Sequence, residues 1–393
     1  MKKKHVLIIA VIAVIAVIAV VAGVFMMAPG RVITVGFIYD NDETTPYSYN
    51  FYLAQQTLTK TYEGRVRTLI YSNVQDEKIA EPVDELASRN CDIIFTNCYG
   101  NVRPLAEKYP EIEFCQVSDA GYPESEARSN YHTFKGEIYQ GRYASGVVAG
   151  LKIEEMIRNG EITPEEAVVG YVAAYPYPEV ISGYSAFLLG VRSVVPEALM
   201  YVKYANIWGS YTIEKACAEE LIDLGCVVIS QHTDTVGPAI ACEECYTRNV
   251  YHVGYNIDMR DAAPYSSLTS ARINWTPYVL GAVEAVMKDM PIEEVVQGRI
   301  HPLQDMSAGF ENDWVDLTPL NETLMPESAG AKIEDTIEAL KNKEIIVFCG
   351  DYTGVSPDDE NDVIDLSNGF IENENSSVPS FHYVLNDVVR IID

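Results

Sequence analysis

The chain has 393 residues, which is too long for one ordinary hydrophobic core and predicts two lobes with additional elements. Its 28 basic residues stand against 57 acidic ones, for a formal net charge of −29. This acidity argues against a nucleic-acid partner. Without a glycine-rich phosphate loop of the GxxxxGK type, it also disfavours phosphorylated ligands and favours neutral or cationic ones.

The N-terminus combines three lysines with a long apolar run. Lys2, Lys3 and Lys4 precede an uninterrupted apolar stretch over residues 6–28. About 20 such residues span a bilayer, and flanking lysines stay in the cytoplasm. We therefore expect residues 1–31 to be a transmembrane anchor or signal segment, with an uncleaved anchor favoured. The rest of the chain would lie on the extracytoplasmic face of the cell membrane.

After this segment, apolar runs typical of strands alternate with helical stretches, which predicts an α/β fold. The predicted first-lobe strands lie near residues 33–39, 66–71, 92–96, 112–117 and 131–134, with helices near 49–60, 77–88 and 102–108. A helix near 138–157 opens the second series, whose strands lie near 168–174, 200–204, 226–230 and 251–255, with helices near 179–194, 212–224 and 238–246.

This rhythm predicts a first lobe over residues 32–136 and a second over 137–258. Residues 259–393 would supply a hinge-crossing helix near 277–288 and C-terminal segments shared between the lobes. The acidic, Asn- and Ser-containing stretch 357–378 is expected to be a mobile loop. Two such lobes enclose a cleft, the usual place for a small-molecule ligand.

Aromatic residues follow two of the predicted strands. Tyr175 and Tyr177 end the run at 168–174, while Tyr39 and Asp40 end the first strand and Tyr47 follows. Ligands in open α/β sheets collect beyond the carboxyl ends of strands, where facing aromatic rings can sandwich a planar ligand. Packing of the turns by these rings remains the alternative.

Polar and tryptophan side chains occupy comparable positions. His232 and Asp234 follow one strand, and Asp258 follows the next, where it either binds a ligand or caps a helix. Trp208 lies in a loop, and Trp275 precedes the helix where the chain recrosses the cleft. Neither a GxSxG elbow nor an HExxH pair is present, so binding is favoured over catalysis.

Cys242 and Cys245 form a CxxC motif in a helix-like stretch. No second pair and no histidine at zinc-ligand spacing accompanies it, so we expect neither a metal nor another cofactor.

Six segments of the chain stand out in order: VGFIYDN, FKGEIYQGRYASGVVAGL, VGYVAAYPYPEVISGYSAFLLGVRSVVPEA, EKACAEELIDLGCVVISQHTDTVGPAIACEE, VGYNIDM and INWTPYV. Together they resemble the basic membrane protein family of ABC-transporter substrate-binding proteins. The resemblance implies a type I periplasmic-binding fold of two hinged lobes, a purine nucleoside or base as ligand, and an ABC-transporter permease as partner. By position, it implies that Tyr47, Tyr177, Trp208, His232, Asp258 and Trp275 line the cleft.

Two features depart from the family pattern. Val24 stands where family lipoproteins carry the lipidated cysteine, and residues 41–46 form a different loop after the first strand. We expect a membrane-anchored binding protein that hands its ligand to a permease and has no enzymatic activity. A membrane-tethered ligand-sensing receptor and a nucleoside-cleaving enzyme remain the alternatives.

Overall fold

Two seven-stranded sheets flanked by helices dominate the structure, a computed structural model that describes residues 31–118 and 128–393. Within those ranges the strands are β1 (Ile33–Ile38), β2 (Val66–Tyr71), β3 (Ile93–Thr96), β4 (Glu113–Val117), β5 (Tyr131–Gly136), β6 (Val168–Ala173), β7 (Leu199–Tyr204), β8 (Val228–His232), β9 (Tyr251–Tyr255), β10 (Ser267–Ile273), β11 (Arg299–His301), β12 (Asp305–Ala308), β13 (Val315–Leu317), β14 (Thr353–Val355), β15 (Val363–Asp365), β16 (Val384–Leu385) and β17 (Val389–Ile392). The α-helices are α1 (Pro46–Thr61), α2 (Ala80–Ser88), α3 (Arg103–Lys108), α4 (Ile138–Arg158), α5 (Pro178–Arg192), α6 (Tyr211–Asp223), α7 (Gly237–Glu244), α8 (Thr276–Lys288), α9 (Ile292–Val295) and α10 (Ala329–Lys341).

Each sheet forms the centre of one lobe. The first has the strand order β11-β12-β5-β4-β3-β1-β2, and the second has the order β13-β10-β9-β8-β6-β7-β17. Neighbouring strands are parallel except at one edge of each sheet, where β11 runs antiparallel to β12 and β13 runs antiparallel to β10. A small third sheet has the order β15-β14-β16. The predicted α/β class is therefore confirmed.

Among the described strands, the chain passes between the two large sheets at three points. It leaves the first sheet after β5, returns after β10 through α8, and leaves again between β12 and β13. Helix α4 then packs against α5 in the second lobe, while α8 packs against α1 in the first. These crossings connect the two lobes, and they lie where the sequence predicts a hinge.

The central strands are buried because their sequences are nearly continuous apolar runs, as parallel strands covered on both faces require. Every residue of β1 is buried, and five of the six residues of β6 are. Their polar continuations emerge only beyond the carboxyl ends, so the strand ends of both lobes deliver polar side chains to the cleft.

The sequence expectation ends the second lobe at residue 258, whereas β10, beyond that residue, pairs with β9 as the next strand of the same sheet. Strand β17, in the C-terminal part expected to be shared between the lobes, pairs with β7 of this sheet. Such pairings connect distant parts of the chain, and local patterns do not record them.

The stretch 357–378, expected to be a mobile loop, is mostly exposed over residues 357–370 and contacts the first lobe near its end. Arg299 Nη1 donates to the Asn373 carbonyl at 2.8 Å, and the Ser377 amide donates to Asp305 Oδ2 at 2.6 Å. The polar groups at this end therefore have buried partners in the fold, whereas the acidic residues 358–360 face solvent.

Helices long and apolar enough to cross a membrane do not occur in the described ranges. The anchor expected over residues 1–28 lies outside them.

Candidate functional site

A cavity of about 690 Å³ lies between the lobes, at the carboxyl ends of the parallel strands. Its first-lobe wall consists of Asp40, Asn41, Thr44, Thr45, Pro46, Tyr47, Asp76 and Tyr99. Its second-lobe wall consists of Glu179, Trp208, Gly209, Tyr211, His232, Asp234, Thr235, Val236, Tyr255 and Ile257. This volume lies within the range of small-molecule sites.

The loop between β1 and α1 builds much of the first-lobe wall. Thr45 is extended, and Pro46 begins α1, a position where the missing amide proton of proline costs no helical hydrogen bond. This start brings Tyr47 to the cavity, where burial raises the pKa of its hydroxyl. Asp40 is fixed by Asn97 Nδ2 at 2.9 Å and Ser48 Oγ at 2.6 Å.

Asp76, another carboxylate of this wall, is also committed to its own lobe. Its Oδ1 accepts the backbone amides of Tyr99 and Gly100 at 2.9 and 3.1 Å. Asp40 and Asp76 are therefore oriented by hydrogen bonds within the first lobe.

The second-lobe wall begins where β8 ends. His232 contacts Tyr255, with ring centroids 4.7 Å apart, and Trp208, at 6.4 Å. The Asp234 amide donates to the Trp208 carbonyl at 2.8 Å, which joins two loops of the wall. Behind Tyr255, the buried guanidinium of Arg142 lies 3.9 Å from the ring centroid, a cation–π contact.

Burial shifts the pKa values of two neighbouring groups of this wall, Asp234 and His232, in opposite directions. Burial raises the pKa of Asp234 to about 8, with the negative charges of Glu214, Asp40 and Glu179 adding to the effect. Burial also lowers the pKa of His232 well below its ordinary value, assisted by the positive charges of Arg142 and Lys135. The imidazole is therefore neutral at physiological pH.

Two polar contacts join the lobes beside the cavity. Lys135 Nζ, on β5, donates to Glu179 Oε2 at 2.7 Å, at the start of α5. Asn50 Nδ2, on α1, donates to Asn256 Oδ1 at 3.2 Å. The two lobes are therefore in direct polar contact beside the cavity.

Four residues of the sequence-predicted ligand set line the cavity: Asp40, Tyr47, Trp208 and His232. Two more lie beside it, since Tyr175 and Tyr177 stack on each other with centroids 5.2 Å apart and both contact Trp208. They form an aromatic group on the second lobe next to the wall.

The other three members of that set lie outside the cavity lining. Tyr39 is buried beneath it against Phe37 and Phe51. Asp258 is occupied by an ion pair with Arg260 at 2.5 Å.

Trp275 is 1% exposed and stacks on Phe51 with centroids 4.4 Å apart. Its ring meets that of Tyr47 edge-on at 6.3 Å, so it supports a lining residue from behind.

Glu179 and Tyr255 line the cavity but were absent from the predicted set, and Asp234 was considered only as a neighbour of His232. The position of Glu179 in the sequence could have predicted its place in the wall, because it stands in the first turn of a helix that directly follows a strand end. Tyr255 is the last residue of β9, and the sequence does not reveal that Arg142 backs its ring.

The CxxC motif lies away from the cavity. Cys242 is fully buried on α7, and burial raises its thiol pKa well above the ordinary value. Within the described residues, no cluster of His, Cys, Asp and Glu side chains is arranged to hold a metal ion.

Two α/β lobes, three crossings and a cavity at the facing strand ends define the class of bilobed solute-binding proteins. The chain belongs to the Bmp family, described as ABC transporter substrate-binding protein, PnrA-like, whose model matches residues 30–343. The predicted membership of the basic membrane protein family is confirmed. Proteins of this family bind small-molecule ligands and interact with ABC permeases.

Two named relatives differ in the ligand that their names state. A purine-binding protein of Brucella abortus (strain 2308) is 28% identical over 323 residues, which is 81% of this chain and 83% of the relative. A Haloferax volcanii protein, provisionally named as an ABC transporter glucose-binding protein, is 32% identical over 261 residues, which is 65% of this chain and 62% of that protein.

Among solved structures, a solute-binding protein of an ABC transporter system from Aeropyrum pernix K1 superimposes with a TM-score of 0.62 at 17% identity. The match covers 84% of this chain and 95% of that one. At this identity it shows the fold alone, and it confirms the predicted periplasmic-binding architecture.

Proposed function

We propose that the protein binds an uncharged purine nucleoside or base between its lobes and delivers it to an ABC-transporter permease. The observation that carries this proposal is the composition of the cavity: aromatic rings from both lobes surround carboxylates and a neutral histidine, and the lining contributed by the described residues contains no lysine or arginine.

The rings suit a flat ligand. Tyr47 comes from the first lobe, and Trp208 and Tyr255 come from the second. An aromatic pair in good geometry contributes about 0.5–1.5 kcal/mol beyond the burial of its area. Rings from opposite lobes also give the ligand contacts that favour the closed arrangement.

The charges disfavour phosphorylated ligands. The carboxylates of Asp40, Asp76 and Glu179 line the cavity, whereas Asp234, whose pKa is raised to about 8, is largely protonated at neutral pH. A phosphate dianion there would lack a basic partner and would lose its hydration, which costs several kcal/mol and exceeds the gain from stacking. Nucleosides and bases should therefore bind much more tightly than nucleotides.

The Brucella relative, named for purine binding and matched over most of both chains, supports the purine class. A monosaccharide is the second candidate, favoured by the carboxylates, which accept hydrogen bonds from sugar hydroxyls, and by the name of the Haloferax relative. The presence of several aromatic side chains on both walls favours the purine.

Family membership supports delivery to a permease, and such delivery would require a location outside the cytoplasmic membrane or attached to it. A tethered receptor with the same lobes would bind the same ligand without a permease. A nucleoside-cleaving enzyme would release the free base and ribose. Incubation with nucleoside followed by product analysis separates the enzyme from both binding proteins, and reconstituted uptake with a permease separates transporter from receptor.

The ligand can be identified directly by mass spectrometry of small molecules copurified with the full-length chain. We expect a purine nucleoside or base in the wild type and its loss in Tyr47→Ala. Tyr265→Ala, which removes a ring that is 64% exposed and outside the cavity lining, is the control and should retain the ligand. A copurified hexose would overturn the proposed ligand class.

A further inference from the structure

Glu179 and His232 lie side by side in the second-lobe wall. Glu179 Oε1 is 3.9 Å from His232 Nε2, which is longer than a hydrogen bond. Both side chains line the cavity. Each of these two atoms therefore keeps its capacity for a hydrogen bond to a ligand.

The position of the histidine proton follows from its surroundings. The ring is 1% exposed and neutral, and its Nδ1 has no hydrogen-bond partner among the described residues. Nδ1 faces Gly183 so closely that a Cβ on that residue would lie 2.8 Å away. A proton on Nδ1 would meet no acceptor, whereas a proton on Nε2 lies on the side of the Glu179 carboxylate. The neutral ring is therefore an Nε2–H donor.

The orientation of Glu179 is set from the opposite lobe. Lys135 on β5 is almost fully buried, and its Nζ donates to Glu179 Oε2 at 2.7 Å and to the Ser118 carbonyl at 3.4 Å. This ion pair occupies one carboxylate oxygen and leaves the other beside His232. A buried, charge-assisted bond of this length fixes the carboxylate well.

We propose that Glu179 Oε1 and His232 Nε2–H form an acceptor–donor pair that recognises the edge of the ligand ring, with Lys135 as its positioning residue. The pair matches an edge that carries an N–H donor beside a hydrogen-bond acceptor. Adenosine presents its exocyclic amine beside a ring nitrogen, and inosine presents N1–H beside its carbonyl oxygen. Because this inference rests on purine binding, it assigns selectivity within that class.

The pair also couples selection to closure. Lys135 belongs to the first lobe, and Glu179 and His232 belong to the second. Lys135 can orient the Glu179 carboxylate only when the two lobes are close together. In an open protein, the Glu179 side chain would therefore not be held in position.

The test compares adenosine with purine riboside, which keeps the ring nitrogens but lacks the exocyclic N–H donor. In calorimetry with the full-length chain, the wild type should bind adenosine about tenfold or more tightly than purine riboside, since a hydrogen bond to a charged group is lost. The double variant Lys135→Met/Glu179→Met removes both charges at nearly constant shape and leaves neither unpaired. It should bring the two affinities within about threefold of each other.

His232→Phe gives a different expected pattern. It removes a donor to a ring nitrogen that both ligands possess, so both affinities should fall about tenfold while their ratio stays. Lys135→Arg should preserve the ratio, because its guanidinium keeps the ion pair. Arg272→Met/Asp316→Met, which removes a partly buried ion pair within the second lobe, is the matched control and should also preserve it.

A double Lys135/Glu179 variant that keeps the tenfold preference overturns the proposal. A wild type that binds both nucleosides equally also overturns it, although purine binding itself would stand. If glucose binds and neither nucleoside does, the proposed function fails, and the selectivity inference fails with it.

Discussion

At the residue scale, Asp234 is the side chain whose chemistry the cavity changes most clearly. Its carboxyl group stands among Glu214, Asp40 and Glu179, in partly desolvated surroundings. The raised pKa of about 8 means that the folded protein holds a proton that the unfolded chain releases above its ordinary value of 3.8. Stability from this group is therefore lost as pH rises from about 4 to about 8.

Asp234→Asn should raise the free energy of unfolding at pH 9 by about 1–3 kcal/mol, because it removes a poorly solvated charge. At pH 4 the variant and the wild type should be equally stable. Urea unfolding followed by tryptophan fluorescence measures both values. Asp223→Asn, at an exposed ion pair with Arg248, serves as the control. If the variant and the wild type differ in unfolding free energy by the same amount at pH 4 and at pH 9, the raised pKa of Asp234 is contradicted.

Trp275 illustrates a residue that supports the site without lining it. Its ring is buried between Phe51 and Phe134 and meets Tyr47 edge-on. Trp275→Ala should lower the free energy of unfolding by about 3–5 kcal/mol, as expected for a truncated core aromatic. It should also weaken purine binding, because Tyr47 loses the ring that supports it.

Denaturant unfolding and calorimetry measure the two effects on the same preparation of this variant. Normal stability would contradict the buried packing of Trp275, and normal affinity would contradict its support of Tyr47.

At the element scale, the crossing of α4 and α5 depends on two glycines. A Cβ on Gly190 would lie 2.1 Å from the Tyr143 carbonyl oxygen, and one on Gly146 would lie 2.1 Å from the Phe187 carbonyl oxygen. These helices can approach this closely only because neither position has a side chain. The second lobe therefore relies on them to place the start of α5, and with it Glu179.

Gly190→Ala should destabilise the protein by about 1–3 kcal/mol or more, because the backbone atoms that it meets must move apart. Gly330→Ala is a matched control on α10, where the added methyl group meets nothing within 4 Å. It should be neutral or stabilising by up to about 1 kcal/mol, since alanine favours the helix. Thermal unfolding measures the stability of both variants. Equal changes in stability would contradict the close approach of α4 and α5.

The elements near the site were largely predictable from sequence, whereas their partners were not. The runs at 66–71 and 251–255 match β2 and β9, because their sequences VRTLIY and YHVGY are rich in β-branched and aromatic residues and are bounded by turn-forming residues. The pairing of β17 with β7 involves residues nearly 190 positions apart and has no local signature.

The same distinction applies to the site residues. Position just beyond a strand end predicted Asp40, Tyr47 and His232, and a loop context predicted Trp208; all four line the cavity. The same rule could not separate them from Asp258, because that carboxylate is taken by Arg260 two residues later, a matter of side-chain geometry. Glu179 gains its importance from Lys135 in the other lobe, which only the assembled fold brings near.

At the scale of the whole molecule, closure should depend on ligand. The Lys135–Glu179 and Asn50–Asn256 contacts both join the lobes beside the cavity, so a bound ring would stabilise the arrangement that contains them. Small-angle scattering should show a smaller radius of gyration after a purine nucleoside is added to ligand-free protein. Equal dimensions in the two states would contradict ligand-driven closure.

The central claim is a cavity that selects uncharged purines by ring stacking and by its lack of a basic phosphate partner. Isothermal titration calorimetry of the ligand-free full-length chain with adenosine, guanosine, inosine, adenine, AMP, ribose and glucose tests it most directly. We expect a nucleoside or base to bind most tightly and AMP to bind at least about a hundredfold more weakly than adenosine, since several kcal/mol separate them. Tighter binding of AMP, ribose or glucose than of every nucleoside and base would contradict the account.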